Sequence, residues 1–495
     1  MSALLATAGG WTAPTLDFHA LAPEIVLLGT IVVLIIADVV LLERAKPIIS
    51  ALAGIGLLGS LVPIITLTVS DSGTREMFDG GYVVDSSALL LKAFFVITGY
   101  VVVLLSTNYV AEGDYWESEY YTLTMCSILG MIVMASSRDL IGIFVSLELL
   151  SIPAYMLAGW RKRDVRSSEA GLKYYLMGVF ATGIMLYGMS LLYGVGGTTD
   201  LAGIGTAISG ENSEVITLAV IFTIIGFGFK VSAVPFHTWA PDTYEGAPTP
   251  VTAFLAVASK AAGFVALINL VYYCFLGRSN VVAPLMFVLS ALSMTVGNLI
   301  ALRQTNVVRM LAYSGIAQAG YILAPFVVAD QVPSGLSSIV VYLVIYGAMN
   351  LGAFAVVIAV ARKTRSAEID SMRGLFQFAP GLTVAMTVFL ASLIGIPPLG
   401  GWYAKFGIMK ALIDGATGWA YALVVILAVN TVVAATYYLR IARVMWFEDA
   451  PDGDIAPVKV PASLVTAMAI CVVATLIFGV FPGLLADAAS VALGG

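Results

Sequence analysis

The chain has 495 residues, of which 60% are hydrophobic and only 11% are charged. At roughly 20 apolar residues per membrane-crossing helix this is material for about 14 to 15 crossings, and the charged share is less than half of the roughly 25% usual in a soluble domain. These figures exclude a soluble globular protein, a disordered chain and a coiled coil, and a formal net charge of −6 argues against nucleic-acid binding.

Apolar runs between polar breaks predict an all-α integral membrane protein with about fourteen transmembrane helices. The first seven spans fall near 21–43, 48–70, 86–108, 119–137, 139–160, 169–194 and 214–237. The other seven fall near 248–274, 281–302, 306–328, 334–362, 380–413, 417–447 and 458–485. The first run lacks a small-residue cleavage site and is too long for a signal peptide, so it reads as a retained span. With residue 1 outside, fifteen loop Lys and Arg residues become cytoplasmic, including Arg44, Lys46, Arg161 to Arg163, Arg166, Arg303, Arg309 and Arg362. Only Arg75, Arg138 and Arg278 are left in the outer loops, which satisfies the positive-inside rule and places both termini outside.

Cys126, Cys274 and Cys471 stand alone in apolar runs, and His19 and His237 are the only histidines. Neither a metal centre nor a disulfide framework is expected in this chain. Glycine-rich patches lack the strand–turn–helix setting of a nucleotide site.

Six basic residues lie within spans, and all are lysines: Lys92, Lys173, Lys230, Lys260, Lys405 and Lys410. Arginine keeps its charge at any reachable pH, whereas a desolvated lysine can exchange a proton, so the set suggests titrating groups. Each ionised residue near the bilayer centre costs about 2.5 to 3.5 kcal/mol on the insertion scale, which calls for a purpose or a partner. Glu148 is near the middle of span five; its structural alternative is a carboxylate bonded to Ser146 or Ser151. Lys230 in span seven, Lys260 in span eight and Lys405 in span twelve are too deep to snorkel easily. Lys410 reads as an interface anchor and Lys92 as a snorkelling residue. Glu24 and Asp38 read as capping or interface groups. Lys173 is explained almost as well by an i,i+4 pair with Glu169 as by transport. His237 suits a proton relay, against a packed histidine at a helix break.

Spans seven and twelve each carry helix breakers beside a lysine. Gly226, Gly228 and Pro235 surround Lys230; Pro397, Pro398, Gly400 and Gly401 precede Lys405. Interrupted spans at matching places in two halves point to an inverted-repeat transporter. The run Tyr155-Met156-Leu157-Ala158 is faintly like Tyr321-Ile322-Leu323-Ala324, which sets Glu148 opposite Ser314. The organisation expected is a three-helix segment at 1–118, a first five-helix repeat at 119–274, an inverted repeat at 281–447 and a last helix within 458–495.

The stretch from Lys230 to Asp242, KVSAVPFHTWAPD, continuing through Glu245-Gly246-Ala247-Pro248-Thr249-Pro250, resembles the signature of the antiporter-like subunits of bacterial respiratory complex I. Glu148 matches that family's carboxylate and Lys230 its partner lysine. Lys260 stands where the L and M subunits have a histidine, and Lys405 where M has a glutamate. The chain also stops after span fourteen, whereas L continues into a lateral helix. The resemblance implies a subunit of the bacterial inner membrane that moves protons and holds no cofactor. It implies NADH, FMN, iron–sulfur clusters and quinone in partner subunits, with subunit M on one side and small subunits such as K and J on the other. In the mechanism these residues suggest, Glu148 and Lys230 form an ion pair whose separation makes Lys230 release its proton. Lys260 and His237 pass it along the midplane, Lys405 is the terminal group, Lys173 feeds the inner side, and internal water fills the gaps. The rivals are an Mrp-type cation/proton antiporter subunit, a membrane-bound hydrogenase subunit and a structural spacer. The acidic loop with Glu112, Asp114, Glu117 and Glu119 is assigned only a subunit contact.

Overall fold

A computed structural model describes residues 15–41, 46–70, 73–113, 117–211, 213–450 and 456–492. Arg44, Asp114 and both termini lie outside these residues. From the N-terminal side, α1 (Ala22–Leu41) and α2 (Lys46–Val69) lead into an antiparallel hairpin of β1 (Arg75–Met77) and β2 (Tyr82–Val84). Then come α3 (Ser86–Glu112), α4 (Glu117–Ser136), α5 (Leu140–Ala158) and α6 (Val165–Gly196). A short α7 (Leu201–Ile208) precedes α8 (Glu214–Lys230) and α9 (Trp239–Gly246). Next are α10 (Thr249–Phe254), a π-helical turn at Leu255–Ser259, α11 (Lys260–Leu270) and α12 (Ser279–Ala301). The second half contains α13 (Val307–Leu323), α14 (Ser334–Thr364), α15 (Leu375–Phe378) and α16 (Pro380–Ile394). It closes with α17 (Gly400–Asp414), α18 (Gly418–Phe447), α19 (Ala462–Val480) and α20 (Gly483–Ala492).

Among the described residues, ten helical runs are long and apolar enough to cross a membrane. One of them, Thr249–Ala301, has 53 residues. Straight, it would be about 80 Å long, far more than a bilayer needs. Phe275 (φ −105°, ψ 4°) and Arg278 (φ −122°, ψ 33°) leave helical geometry and divide it.

Helix starts follow from local chemistry. Asp85 accepts from the Ala88 N–H at 2.7 Å, Asp139 from Ile141 and Gly142, Asp164 from Arg166, and Asn306 from Arg309. Each cap satisfies a backbone donor that the first helical turn leaves free. Where the sequence predicts one span over 214–237, the helix stops at Lys230 and turns follow to Thr238. Ser232, at φ 59°, turns the chain out of the helix, and Pro235, which has no N–H, cannot resume it. The predicted span 380–413 is two helices, α16 and α17, with Pro397 and Pro398 between them. The predicted 458–485 is α19 followed by α20, divided at Phe481 and Pro482.

Burial sets the layering. The most apolar stretches of Thr249–Ala301, Val307–Val328 and Ser334–Thr364 are 100%, 94% and 89% buried, against 28% for α1 and 33% for α6. The outer helices expose Val, Ile and Leu side chains, while the central ones carry the polar chemistry. Loops assigned to one side of the membrane meet one another. Arg75 pairs with Asp17 at 2.8 Å and Arg138 with Asp85 at 3.2 Å. At the opposite end, Arg362 pairs with Glu112 at 2.5 Å, which gives one acidic loop residue an intramolecular partner.

Lys92 corrects the sequence expectation. It does not snorkel: it is fully buried, with its Nζ 2.9 Å from Glu24 Oε1. The helix α3 carries it inward, where its side chain reaches Glu24 of α1 and the carboxylate offsets part of the cost of burying the amine. Glu24 is accordingly no interface cap; it is the counter-ion. Asp38 accepts from Ser118 Oγ at 2.5 Å, and Lys410 is exposed.

Candidate functional site

Lys230 is the last residue of α8. Beyond it the Ser232 N–H donates to Phe229 O at 3.0 Å and the Ala233 N–H to Gly228 O at 2.8 Å, with Ser232 at φ 59°. This is a Schellman ending with serine where glycine is usual, a geometry that costs an L-residue about 1–2 kcal/mol. The end points the Lys230 side chain inward. Its Nζ donates to Ser151 Oγ at 2.8 Å and to Tyr174 OH at 3.1 Å, and is 3% exposed as a residue. Tyr174 is stacked on Trp239, ring centroids 4.5 Å apart, and the Trp239 indole N–H donates back to Phe229 O at 3.1 Å. The segment after the break is thereby fastened to the helix before it.

Glu148 lies one helical turn before Ser151 on α5, half-buried, and accepts from Thr182 Oγ1 at 3.2 Å. Among the described residues no ion pair within 4 Å joins it to Lys230, so the expected direct pair is not made. The amine reaches α5 one turn further along, and Ser151 and Tyr174 already take up its donors. Ser146 does not hold the carboxylate either; its hydroxyl donates to Gly142 O. Residues three apart on a helix are about 5–6 Å apart at Cβ. Glu148 is therefore near enough for its charge to act on the amine through a hydroxyl.

Lys260 begins α11 directly after the π-helical turn and donates to Gly315 O of α13 at 2.9 Å. π-turns widen a helix locally and recur at functional sites. A β-carbon on Gly315 would sit 2.9 Å from Tyr346 OH and 3.2 Å from Lys260 Nζ. Gly315→Ala is expected to displace the Lys260 amine, at a stability cost of about 1–3 kcal/mol typical of overpacking. The check is proton pumping per electron in membranes where the chain still assembles; pumping equal to wild type would show the amine's position to be irrelevant. One turn after Lys260, a β-carbon on Gly263 would lie 3.1 Å from Lys230 Cγ, so α11 packs closely on the Lys230 stem. The two amines share no hydrogen-bond partner among the described residues.

Lys405 on α17 donates to Leu393 O at 3.0 Å and Ile394 O at 2.8 Å. These are terminal carbonyls of α16, free of intrahelical partners and at the negative end of its dipole. Gly395, at φ 97°, turns the chain there. Gly401 brings α17 so close that a β-carbon would fall 1.8 Å from Ser392 O. Gly401→Ala is expected to cost at least about 3 kcal/mol, at the upper end of overpacking. It would be read as loss of the chain from detergent-solubilised membranes; normal amounts and melting behaviour would contradict the packing described.

Polar groups continue from Lys260 towards Lys405. Ser314, beside the carbonyl that Lys260 uses, shares a hydrogen bond with Tyr438 OH. The Gln318 amide lies 3.5 Å from Tyr438 OH and 3.4 Å from Leu393 O, the carbonyl that also accepts from Lys405. Tyr342 OH donates to Gln318 Oε1. All these side chains are buried. Lys230, Lys260 and Lys405 thus have hydroxyls and carbonyls as their direct partners, with no carboxylate within 4 Å among the described residues.

Two expected relay residues stand apart. His237 is half-buried in the break, no hydrogen bond joins it to Lys230 or Lys260, and its Nδ1 is buried without a partner. Lys173 is in a surface network, 2.7 Å from Glu169 and 2.9 Å from Asp242, with Arg309 2.8 Å from Asp242 and 2.9 Å from Glu245. Burial raises the proton affinity of Asp242, but its bonds to Lys173 and Arg309 outweigh that and hold its carboxyl below the usual value. The link therefore stabilises above the ordinary carboxylate range and is lost as pH falls through the lowered value. Tyr174, Thr182, Gln318, Tyr342 and Tyr438 were not singled out by the sequence. Their signal is the one used for the lysines, polar side chains inside apolar spans, but hydroxyls and amides are common there.

Among the described residues no group of three or more His, Cys, Asp or Glu could hold a metal ion. Residues 137–431 match the family model described as NADH:quinone oxidoreductase/Mrp antiporter, TM. The NADH-quinone oxidoreductase subunit N of Chlorobium chlorochromatii is 40% identical over 483 residues, 94% of this chain and 92% of that one. A chain of respiratory complex I from Thermus thermophilus, solved with bound aureothin, superposes with a TM-score of 0.78 at 29% identity, covering 96% of this chain and all of that one. A chain of the Mrp complex from Dietzia sp. DQ12-45-1b has the same fold, with a TM-score of 0.83 at 20% identity over 96% of this chain and 97% of that one. With more than half its length matched by the family and relatives of this similarity along most of it, the chain belongs to the NADH:quinone oxidoreductase/Mrp antiporter transmembrane family.

Proposed function

We propose that this chain is the subunit N-type membrane subunit of a bacterial respiratory complex I, and that it moves protons while partner subunits oxidise NADH and reduce quinone. The supporting observation is the placement of Lys230, Lys260 and Lys405, at most 3% exposed and directly bonded to neutral groups. An ammonium there is costly unless a charge or water compensates, so a nearby change in charge can move a proton on or off. Glu148 supplies that charge one turn from the Ser151 contact. Withdrawing its influence makes the protonated Lys230 less favourable; the proton passes across the Gly263 contact to Lys260, through water. From Lys260 the Ser314, Tyr438 and Gln318 groups lead to Lys405, which releases it at the far side. His237, with no direct bond to Lys230 or Lys260, joins the series through water, and Lys173 belongs to an entry network rather than the midplane series.

The reading includes fourteen crossings with both ends outside in the bacterial inner membrane, and two inverted five-helix repeats at 119–274 and 281–447. Subunit M is placed on one side and small subunits such as K and J on the other. FMN and iron–sulfur clusters belong to partners. Purifying the tagged chain from native membranes tests the assignment. Copurifying flavin and iron–sulfur proteins with NADH-driven proton pumping are expected; sodium-dependent exchange without them would establish the Mrp-type alternative instead.

A further inference from the structure

Among the described residues, the proposed series leaves one buried ionisable pair unused. Lys92 on α3 and Glu24 on the first turn of α1 are 2.9 Å apart, and the residues are 0% and 9% exposed. Lys92 Nζ also donates to Tyr82 OH of β2 at 3.0 Å. Seven positions before Lys92, Asp85 caps α3 and pairs with Arg138 at 3.2 Å. Asp85 borders a cleft of about 120 Å³ that also contains Thr74 and Arg75. Inward, Arg138 donates to Asn269 Oδ1 at 3.1 Å, and Asn269 is on α11, the helix that begins with Lys260. Asn269 is nine positions after Lys260, about 14 Å along the helix axis. Polar groups therefore run from Asn269 to the face bearing Asp17 and Arg75, while α11 between Lys260 and Asn269 carries only apolar residues and a glycine.

We infer that Glu24 and Lys92 form an additional proton-binding site, an outlet for the N-terminal half of the chain at the face bearing Asp17 and Arg75. This inference rests on the proton-transport reading given above. A purely structural clamp between α1 and α3 could use a salt bridge at the surface, or apolar contacts. Here the pair is desolvated, backed by a phenol, and about two helical turns along α3 from Asp85, which borders the cleft. Each cycle releases one proton and takes up another. It resides on Lys92 Nζ in the ion pair, crosses to Glu24 Oε1 to leave a neutral amine and a neutral acid, and departs from Glu24 to water. A second proton arriving from the Asn269 side, carried by water past Arg138, restores the ammonium beside the carboxylate. Arg138 stays charged throughout and acts by position.

The test uses the whole complex in sealed vesicles, with proton pumping and electron transfer measured together. Lys92→Arg keeps a cation facing Glu24 but fixes its proton, and Glu24→Gln removes the acceptor. Expected is a loss of protons pumped per electron in both, with electron transfer retained, and recovery in the exchanged pair Glu24→Lys with Lys92→Glu. Wild-type pumping per electron in assembled Lys92→Arg would overturn the inference and leave the pair a clamp. Should these variants fail to assemble, Tyr82→Phe decides, because it removes only one hydroxyl from Lys92: lowered pumping supports the outlet and unchanged pumping overturns it. Lys230→Met, run alongside, separates the two ideas. If that variant pumps normally, the underlying reading fails, whatever the Glu24 and Lys92 variants do.

Discussion

Lys405→Arg is expected to leave the complex assembled and electron transfer running, and to slow proton transfer through this chain at least about tenfold, the factor that 1.4 kcal/mol of added barrier produces. The guanidinium can still donate to Leu393 O and Ile394 O, the contacts that the lysine makes at the end of α16. What it cannot do is give up its proton at any reachable pH. The substitution thus separates charge at a helix terminus from proton exchange. Lys405→Met removes both and is expected to be at least as severe. The measurement is the rate of acidification of sealed vesicles per NADH oxidised. Equal rates in Lys405→Arg and wild type would mean that Lys405 serves only to hold α16 and α17 together.

Lys230→Met is expected to abolish the contribution of this chain to pumping. Methionine has nearly the same length and fills the space between Ser151, Tyr174 and Gly263, so packing is retained while the exchangeable proton is lost. The two hydroxyls can turn to each other or to water, which limits the stability cost to about that of one or two hydrogen bonds, about 1–3 kcal/mol. Glu148→Gln is expected to give a milder phenotype of the same kind. It leaves Lys230 and its direct contacts in place and removes only a charge one turn away. If Lys230→Met pumps like wild type, the series does not begin at this residue.

Hydrophobic runs made the membrane helices legible, because each needs about 20 apolar residues and polar breaks are sparse. The prolines and glycines near Lys230 and Lys405 were equally legible, since a missing N–H or a missing side chain has a local consequence. That Glu148 and Lys230 make no direct pair was not. Two side chains from helices 82 positions apart meet according to how α5, α6 and α8 pack, and the sequence does not state that Ser151 and Tyr174 come first. Lys92 failed for a related reason. Its depth resembles that of a snorkelling lysine until α1 is seen to bring Glu24 across. The π-helical turn before Lys260 left no trace in composition, as Leu255 to Ser259 is ordinary helix-forming sequence. Gln318 and Tyr438 are single polar residues in long apolar helices, and only the fold brings both towards Leu393 O.

The idea that buried amines carry the proton is tested most directly by replacing Lys230, Lys260 and Lys405 with methionine together in the intact complex. Protons pumped per electron should then be counted in vesicles where NADH oxidation persists. The proton-to-electron ratio is expected to fall below wild type, with electron transfer no longer accompanied by this chain's share. A ratio identical to wild type in the assembled triple variant would contradict the account and leave the chain a passive part of the membrane arm.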